Sequence, residues 1–144
     1  MTSQLNVDTI VDKAGSGGTN IKVGNTATYV ADGGSATQNL VQGLAKAWSK
    51  LNGTGTISLY DSFNISSVTD NGTGDYTHTM TSAMSNANYS HVFTARTYFA
   101  VFKDGQTPTT TTYRISHIFN DGADGAFDSS DGNYISANIT GDLA

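Results

Sequence analysis

Three histidines, His78, His91 and His117, are the side chains of this sequence with the clearest capacity for metal chemistry. Imidazole nitrogens ligate zinc where several of them meet, but neither the spacing of these three nor nearby acids supports such a site. Each histidine instead alternates with aromatic or aliphatic residues on a predicted strand. We interpret all three as packed or hydrogen-bonded structural residues, and we expect no metal or other cofactor.

An acidic stretch at 120–131, NDGADGAFDSSD, is rich in potential cation ligands. Calcium prefers such oxygen ligands, but the D-x-D-x-D-G spacing with a glutamate at the twelfth position is missing. A solvated loop over 120–133 is therefore the favoured interpretation, with cation binding as the alternative.

Signatures of catalysis are missing from the sequence. It has no G-x-S-x-G, H-E-x-x-H or P-loop motif and no cysteine for thiol chemistry. Glutamate is absent, so only aspartates could supply the pair of carboxylates that a glycan hydrolase needs. We predict that the protein is not an enzyme. Loops rich in Ser, Thr, Asn, Tyr and Asp suit carbohydrate recognition, although the same residues also make an inert soluble surface.

The charge pattern narrows the range of partners. Net charge is −5, and the seven basic residues are scattered from Lys13 to Arg114. Binding to nucleic acid needs a basic footprint, so we expect none. No stretch approaches the roughly 20 apolar residues of a membrane span, and the N-terminus lacks the basic and apolar regions of a signal peptide. We therefore expect neither a membrane span nor secretion by such a signal.

The elements that position these residues are predicted to be strands. Gly, Ser, Thr and Asn make up 64 of 144 residues, a balance that favours strands and turns over helices. Alternating patterns predict one strand over 57–65, a continuous run with both faces covered over 89–102, and a last strand through Ile135, Ala137 and Ile139. Strong turn signals lie at 70–75 and 104–105. We predict a mostly β protein whose antiparallel β-sandwich spans 49–144.

Two other segments precede the predicted sandwich. Residues 1–34 have short apolar alternations interrupted by glycines, which predicts an extended arm that docks on something else. Residues 35–48 give the best helix signal, a short helix or neck with Leu40, Leu44 and Trp48 along one stripe. A single amphipathic turn packed on its own domain is the alternative. Only 37% of residues are hydrophobic, so burying the stripe between chains would add to a thin core.

Several segments resemble a family of virion proteins from marine bacteriophages that are described as tail-fibre-like. The resembling stretches are VDTIVDKAG (7–15), NLVQGLAKAW (39–48), NGTGTI (52–57), DSFNISSVTDNGTGDY (61–76) and GDLA (141–144). They touch both ends of the chain, whereas 90–135 matches less well.

The resemblance implies a structural role at the virion surface, with an N-terminal attachment segment and a C-terminal β module. The residues expected to attach the arm to another virion protein (capsid, tail or baseplate) are Leu5, Val7, Ile10, Ile21 and Val23. Fibre-like proteins commonly trimerise, so we expect a homotrimer with contacts at Leu40, Leu44 and Trp48. The chain lacks a long shaft, which favours a capsid decoration protein, head fibre or short tail fibre. A module that recognises host glycans is the alternative.

Overall fold

A computed structural model of the chain describes residues 28–30, 37–40, 43–122 and 125–143. The chain divides into two compact units, Met1–Val41 and Gln42–Ala144. The five residues predicted to attach the arm lie outside the described residues; they are Leu5, Val7, Ile10, Ile21 and Val23.

The described part of the first unit is a small antiparallel pair of strands, β1 (Thr28–Val30) and β2 (Thr37–Asn39). The second unit contains two antiparallel sheets. The four-stranded sheet has the order β4-β3-β11-β7, from β4 (Ser58–Phe63), β3 (Ala45–Asn52), β11 (Asn133–Thr140) and β7 (Ser90–Thr94). The five-stranded sheet contains β5 (Ile65–Gly72), β6 (Asp75–Met80), β8 (Phe99–Phe102), β9 (Thr112–Phe119) and β10 (Asp128–Ser129).

The two sheets pack face to face, which confirms the predicted antiparallel β-sandwich. Aromatic rings join them: Phe93 on β7 lies 5.4 Å from Phe102 on β8 and 6.0 Å from Tyr113 on β9, between ring centroids. The buried apolar residues are Ala47, Leu51, Tyr76, Met80, Met84, Tyr89, Tyr113, Ile115, Ile135, Ala137 and Ile139. Among the described residues, no helix is long and apolar enough to cross a membrane.

The predicted helix at 35–48 is wrong throughout its described part. Residues 37–39 form β2, and β3 begins at Ala45. Ala47, Ser49 and Leu51 alternate inward along β3, and β3 pairs on one edge with β4 and on the other with β11. This pairing outweighs the moderate helix propensity of the segment, which Gly43 already weakens. The supposed stripe of Leu40, Leu44 and Trp48 therefore has no helix to place it on one face.

The predicted single strand over 57–65 is two strands in different sheets, β4 and β5. The chain turns at Asn64, which has φ of 57°. Its side-chain NH2 group donates to the Lys46 carbonyl (3.0 Å) and the Ser82 carbonyl (3.2 Å), and its side-chain oxygen Oδ1 accepts from the Ser82 N–H (2.7 Å). Asparagine tolerates this left-handed conformation better than most residues, so the local chemistry of Asn64 lets the chain switch sheets.

The predicted continuous run over 89–102 is also divided, into β7 and β8, which again belong to different sheets. Large residues at both parities reflect this change of sheet rather than one strand covered on both faces. Other predictions are confirmed. The turn at 70–75 joins β5 to β6, Gly105 has the left-handed φ of a turn (70°), and Ile135, Ala137 and Ile139 face the core from β11.

Candidate functional site

A groove of about 410 Å³ lies on the outer face of the four-stranded sheet. It is lined by Trp48, Ser49, Lys50, Val92, Thr94, Ser136, Ala137 and Asn138. Because Ala47 and Leu51 point into the core, alternation along β3 directs Trp48 and Lys50 outward. The groove is within the size range of small-ligand sites.

Strand register explains the shape of the groove. Asn138 on β11 stands opposite Trp48 on β3 and Val92 on β7, and Ser136 stands opposite Lys50 and Thr94. Small polar residues of β11 thus form the floor of the groove, while residues of β3 and β7 on either side form its walls. Those strands lie about 10 Å apart, two strand spacings.

Exposed apolar side chains lie in and beside the groove. Phe63 pairs with Trp48 in the register and is 51% exposed, and Val92 is 62% exposed. Trp48 itself is partly buried, and it is absent from the residues that pack against the core. We call this surface the aromatic face; its residues are Trp48, Lys50, Tyr60, Phe63, Val92 and Tyr134.

Two β-bulges present a pair of tyrosines next to Lys50. The β3–β4 register shifts between Lys50 and Leu51, which leaves Tyr60 as the extra residue, and the β3–β11 register shifts across Tyr134. The two rings stack at 5.0 Å with an interplanar angle of 11°. Tyr134 has φ of 56°, a conformation that costs a bulky residue on the order of 1–2 kcal/mol. Strain at a residue whose ring stacks on an exposed ring, here Tyr60, is typical of functional surfaces.

Positive charge converges on the same ring. The Lys50 ammonium lies 4.6 Å from the centroid of the Tyr134 ring, and the Arg96 guanidinium lies 5.7 Å from it. Neither group forms an ion pair within the described part of the chain. Asp61 stands opposite Lys50 in the register, but its carboxylate accepts from the Ser62 N–H at 2.8 Å.

On the outer face of the five-stranded sheet, by contrast, basic side chains pair with an aspartate. The Asp75 carboxylate accepts two hydrogen bonds from Arg114, at 2.6 and 2.8 Å, and lies 3.3 Å from the Lys103 ammonium. Burial raises the pKa of Asp75, but the hydrogen bonds from Arg114 and Lys103 outweigh burial and hold that pKa below its usual value. Asp75, Arg114 and Lys103 are therefore already engaged with one another.

A second set of contacts closes one end of the sandwich. The Asp131 carboxylate accepts from the Gly74 N–H (2.7 Å) and the Tyr76 hydroxyl (2.9 Å), and the Gly132 carbonyl accepts from the Gly53 N–H (2.9 Å). A side chain at Gly53 would meet the Tyr76 hydroxyl, and one at Gly132 would meet the His117 ring. We call this cluster the glycine-packed hub; its residues are Gly53, Gly74, Tyr76, His117, Asp131 and Gly132.

The three histidines have structural surroundings. His117 belongs to the hub, where Nδ1 lies 2.7 Å from the Ser130 carbonyl and Nε2 lies 2.8 Å from the Thr97 carbonyl. His78 is fully buried and stacks on Tyr113, with ring centroids 4.8 Å apart. His91 is exposed but stacks on Phe93. No group of three metal-ligating side chains occurs among the described residues.

The predicted oligomer-contact residues Leu40, Leu44 and Trp48 are divided between the two units of the chain. Leu40 belongs to the first unit, whereas Leu44 and Trp48 belong to the second. Leu44 is 58% exposed in the bend before β3. The acidic loop at 120–133 is described except at 123–124. Within the described part of this loop, Asp131 serves the hub, and Asp128 lies on the short strand β10.

Sequence reasoning missed Lys50, Tyr60, Phe63, Val92 and Tyr134. Their clustering depends on two bulges and on the pairing of four strands that are distant in the chain, and neither can be read from local patterns. The signal that was available was the interrupted alternation of large residues around Tyr60. No family model, curated protein or solved structure matches the chain.

Proposed function

We propose that the protein is a non-enzymatic structural component of a bacteriophage virion, a short appendage with its β-sandwich displayed at the particle surface. The resemblance of five segments to tail-fibre-like virion proteins carries this proposal. The division of the chain into an N-terminal unit and an all-β unit fits an attachment segment followed by a displayed module.

Immunogold labelling of intact particles tests the proposal. Antibody against the β-sandwich should decorate one defined place on the particle, head or tail. Deletion of residues 1–34, which contain the proposed attachment residues, should abolish decoration while the β-sandwich still folds, as followed by circular dichroism. Normal occupancy of the truncated protein would place attachment in the sandwich instead, and unlabelled particles would contradict the proposal itself.

We further propose a homotrimer in which exposed apolar side chains meet between copies. Phe99, Val101 and Phe127 are exposed on the outer face of the five-stranded sheet, where Phe99 and Phe127 touch edge to face at 6.1 Å. Native mass spectrometry at micromolar concentration should show three copies, and Phe127→Ser should shift the protein toward monomer. A monomeric wild-type protein would contradict the proposal.

Recognition of a host glycan is the second candidate, favoured by the groove on the aromatic face. An aromatic wall beside small polar groups suits sugars, because a ring can stack on Trp48 while its hydroxyls bond to Ser136, Asn138 and Thr94. A glycan array with the full chain tests this candidate. Saturable binding to some sugars, lost in Trp48→Ala, would support it, and uniformly negative arrays would argue against it.

A further inference from the structure

We propose that the aromatic face binds an anionic oligosaccharide, one whose sugar rings carry carboxylate groups. The inference rests on the glycan-binding candidate above and adds the chemical class of the glycan. Its basis is the placement of positive charge that has no ion pair among the described residues, beside the groove of a protein of net charge −5.

The basic residues that form no ion pair among the described residues lie close together. Five of the seven lie in the described part of the chain. Lys103 and Arg114 engage Asp75, and Lys46 is buried and donates to the Leu44 carbonyl. The remaining two, Lys50 and Arg96, are exposed and converge on the Tyr134 ring. Among the described residues, the basic groups still available to an anion are thus concentrated at one place.

The aromatic face has two groups of rings, and Lys50 lies between them. Trp48 and the Tyr60–Tyr134 pair form two ring platforms, separated along β3 by roughly 10 Å, three residues of extended strand. Lys50 stands between them and also lines the groove. A ligand that stacks on both platforms must pass the Lys50 ammonium. Two platforms and an intervening cation suit a chain of sugar rings with negative substituents better than a single neutral ring.

The surroundings of Lys50 sharpen the inference. Its ammonium rests over an aromatic ring, so it is held in place without being neutralised. Asp61 is the one carboxylate that stands opposite Lys50 in the strand register, and it would repel an anionic ligand. Removing that negative charge should therefore strengthen binding, whereas a neutral glycan should not respond to the change.

Fluorescence titration of the full chain tests the proposal, because Trp48 is the only tryptophan and its emission reports on the groove directly. The probes are oligogalacturonate and its fully methyl-esterified form, which has the same rings without the charges. Oligogalacturonate should change the Trp48 emission saturably, and the methyl ester should bind at least about tenfold more weakly, the loss expected for one hydrogen bond to a charged group.

Three variants make the test specific. Lys50→Gln should weaken oligogalacturonate binding by about tenfold and reduce its dependence on salt, and Asp61→Asn should tighten it. Lys103→Gln, which removes a positive charge from the opposite sheet, should leave it unchanged. Thermal melts of all three should confirm that each variant is folded.

Each contrary outcome is informative. Equal affinity for the charged and esterified probes would overturn the anionic proposal while leaving glycan binding in place. If neither probe changes the Trp48 emission, the anionic proposal fails, and a change that depends on protein concentration alone would identify a second copy as the occupant. None of these results bears on the location of the protein on the particle, which immunogold labelling decides separately.

Discussion

The glycine-packed hub and the aromatic face both contain tyrosines and charged or polar side chains, but these side chains are bonded within the fold in the hub and exposed to ligands on the aromatic face. In the hub, the Tyr76 hydroxyl donates to Asp131, and the His117 ring lies between two carbonyl oxygens. On the aromatic face, the half-buried Tyr134 ring stacks on the exposed Tyr60 ring, and Lys50 has no carboxylate partner among the described residues. The polar groups of the hub form hydrogen bonds within the protein, whereas the Lys50 ammonium on the aromatic face is available to a ligand.

This difference separates residues that hold the sandwich together from residues that are free to bind. A buried polar group without a partner is destabilising, so a closed region must satisfy its donors and acceptors internally. An exposed ring or ammonium has no such requirement, because water solvates it until a ligand arrives. Changes in the hub should therefore act on stability, and changes on the aromatic face should act on binding.

Gly74→Ala should have the largest effect on stability. Gly74 has φ of 64°, and an added side chain would collide with the His117 carbonyl and lie 2.7 Å from the Ser130 carbonyl. The left-handed conformation and the overpacking together should lower the free energy of unfolding by roughly 3–4 kcal/mol. Urea denaturation followed by circular dichroism measures the change.

Gly55→Ala is the matched control for that prediction. Gly55 has the same φ of 64°, but an added side chain there meets nothing within 4 Å. Its cost should be the conformational part alone, about 1 kcal/mol. Equal losses for the two variants would mean that the hub is no tighter than an open turn.

His78 and His117 are both buried, but only the ring of His117 has hydrogen-bond partners among the described residues. Within the described part of the chain, neither ring nitrogen of His78 has a hydrogen-bond partner, and burial lowers the pKa of His78 from 6.5 to about 4. The unfolded chain therefore binds a proton between these values while the folded protein does not. Stability from this group is complete above pH 6.5 and should fall by about 1 kcal/mol per pH unit as the pH drops toward 4.

Denaturation of the wild type and of His78→Phe at a series of pH values isolates this effect. Phenylalanine keeps a ring against Tyr113 but has no proton to bind, so the slope between pH 6.5 and 4 should become shallower. Desolvation of the His91 ring, which packs against Phe93 and Phe102, also lowers the pKa of His91, and that contribution remains in both proteins. Parallel stability curves would show that His78 is not the group responsible.

Features of the fold that depend on local sequence could be predicted, whereas features that depend on residues distant in the chain could not. Alternation located the core face of β11, and asparagine–glycine chemistry located the β5–β6 turn, because both signals are local. The sheet switch at Asn64 depends on side-chain hydrogen bonds to Lys46 and Ser82, and the bulges at Tyr60 and Tyr134 depend on the register between paired strands. Local periodicity cannot contain that information, so the helix at 35–48 was mispredicted and the aromatic face was missed.

Tyr76→Phe should have an intermediate effect. It removes the hydroxyl that donates to Asp131 (2.9 Å) and lies 3.3 Å from the Gly53 carbonyl, and one lost hydrogen bond in a buried setting costs about 1 kcal/mol. Tyr60→Phe is the control on the aromatic face, where the hydroxyl makes no hydrogen bond within the described residues and the change should be close to zero. Similar losses in both variants would remove the distinction between the two regions.

Trp48→Ala should have the smallest effect on stability for the size of the side chain removed. Deleting a buried tryptophan ordinarily costs about 3–5 kcal/mol, since a cavity remains. Trp48 lies on the outer face of β3 and does not pack against the core, so water can occupy the space it leaves and the loss should be about 1 kcal/mol. Leu51→Ala, three residues along the same strand and fully buried, should cost about 2–5 kcal/mol. Chemical denaturation of both variants compares the two faces of one strand directly. A larger loss for Trp48→Ala than for Leu51→Ala would mean that Trp48 holds the fold together, and it would then be a poor choice of residue for a binding surface.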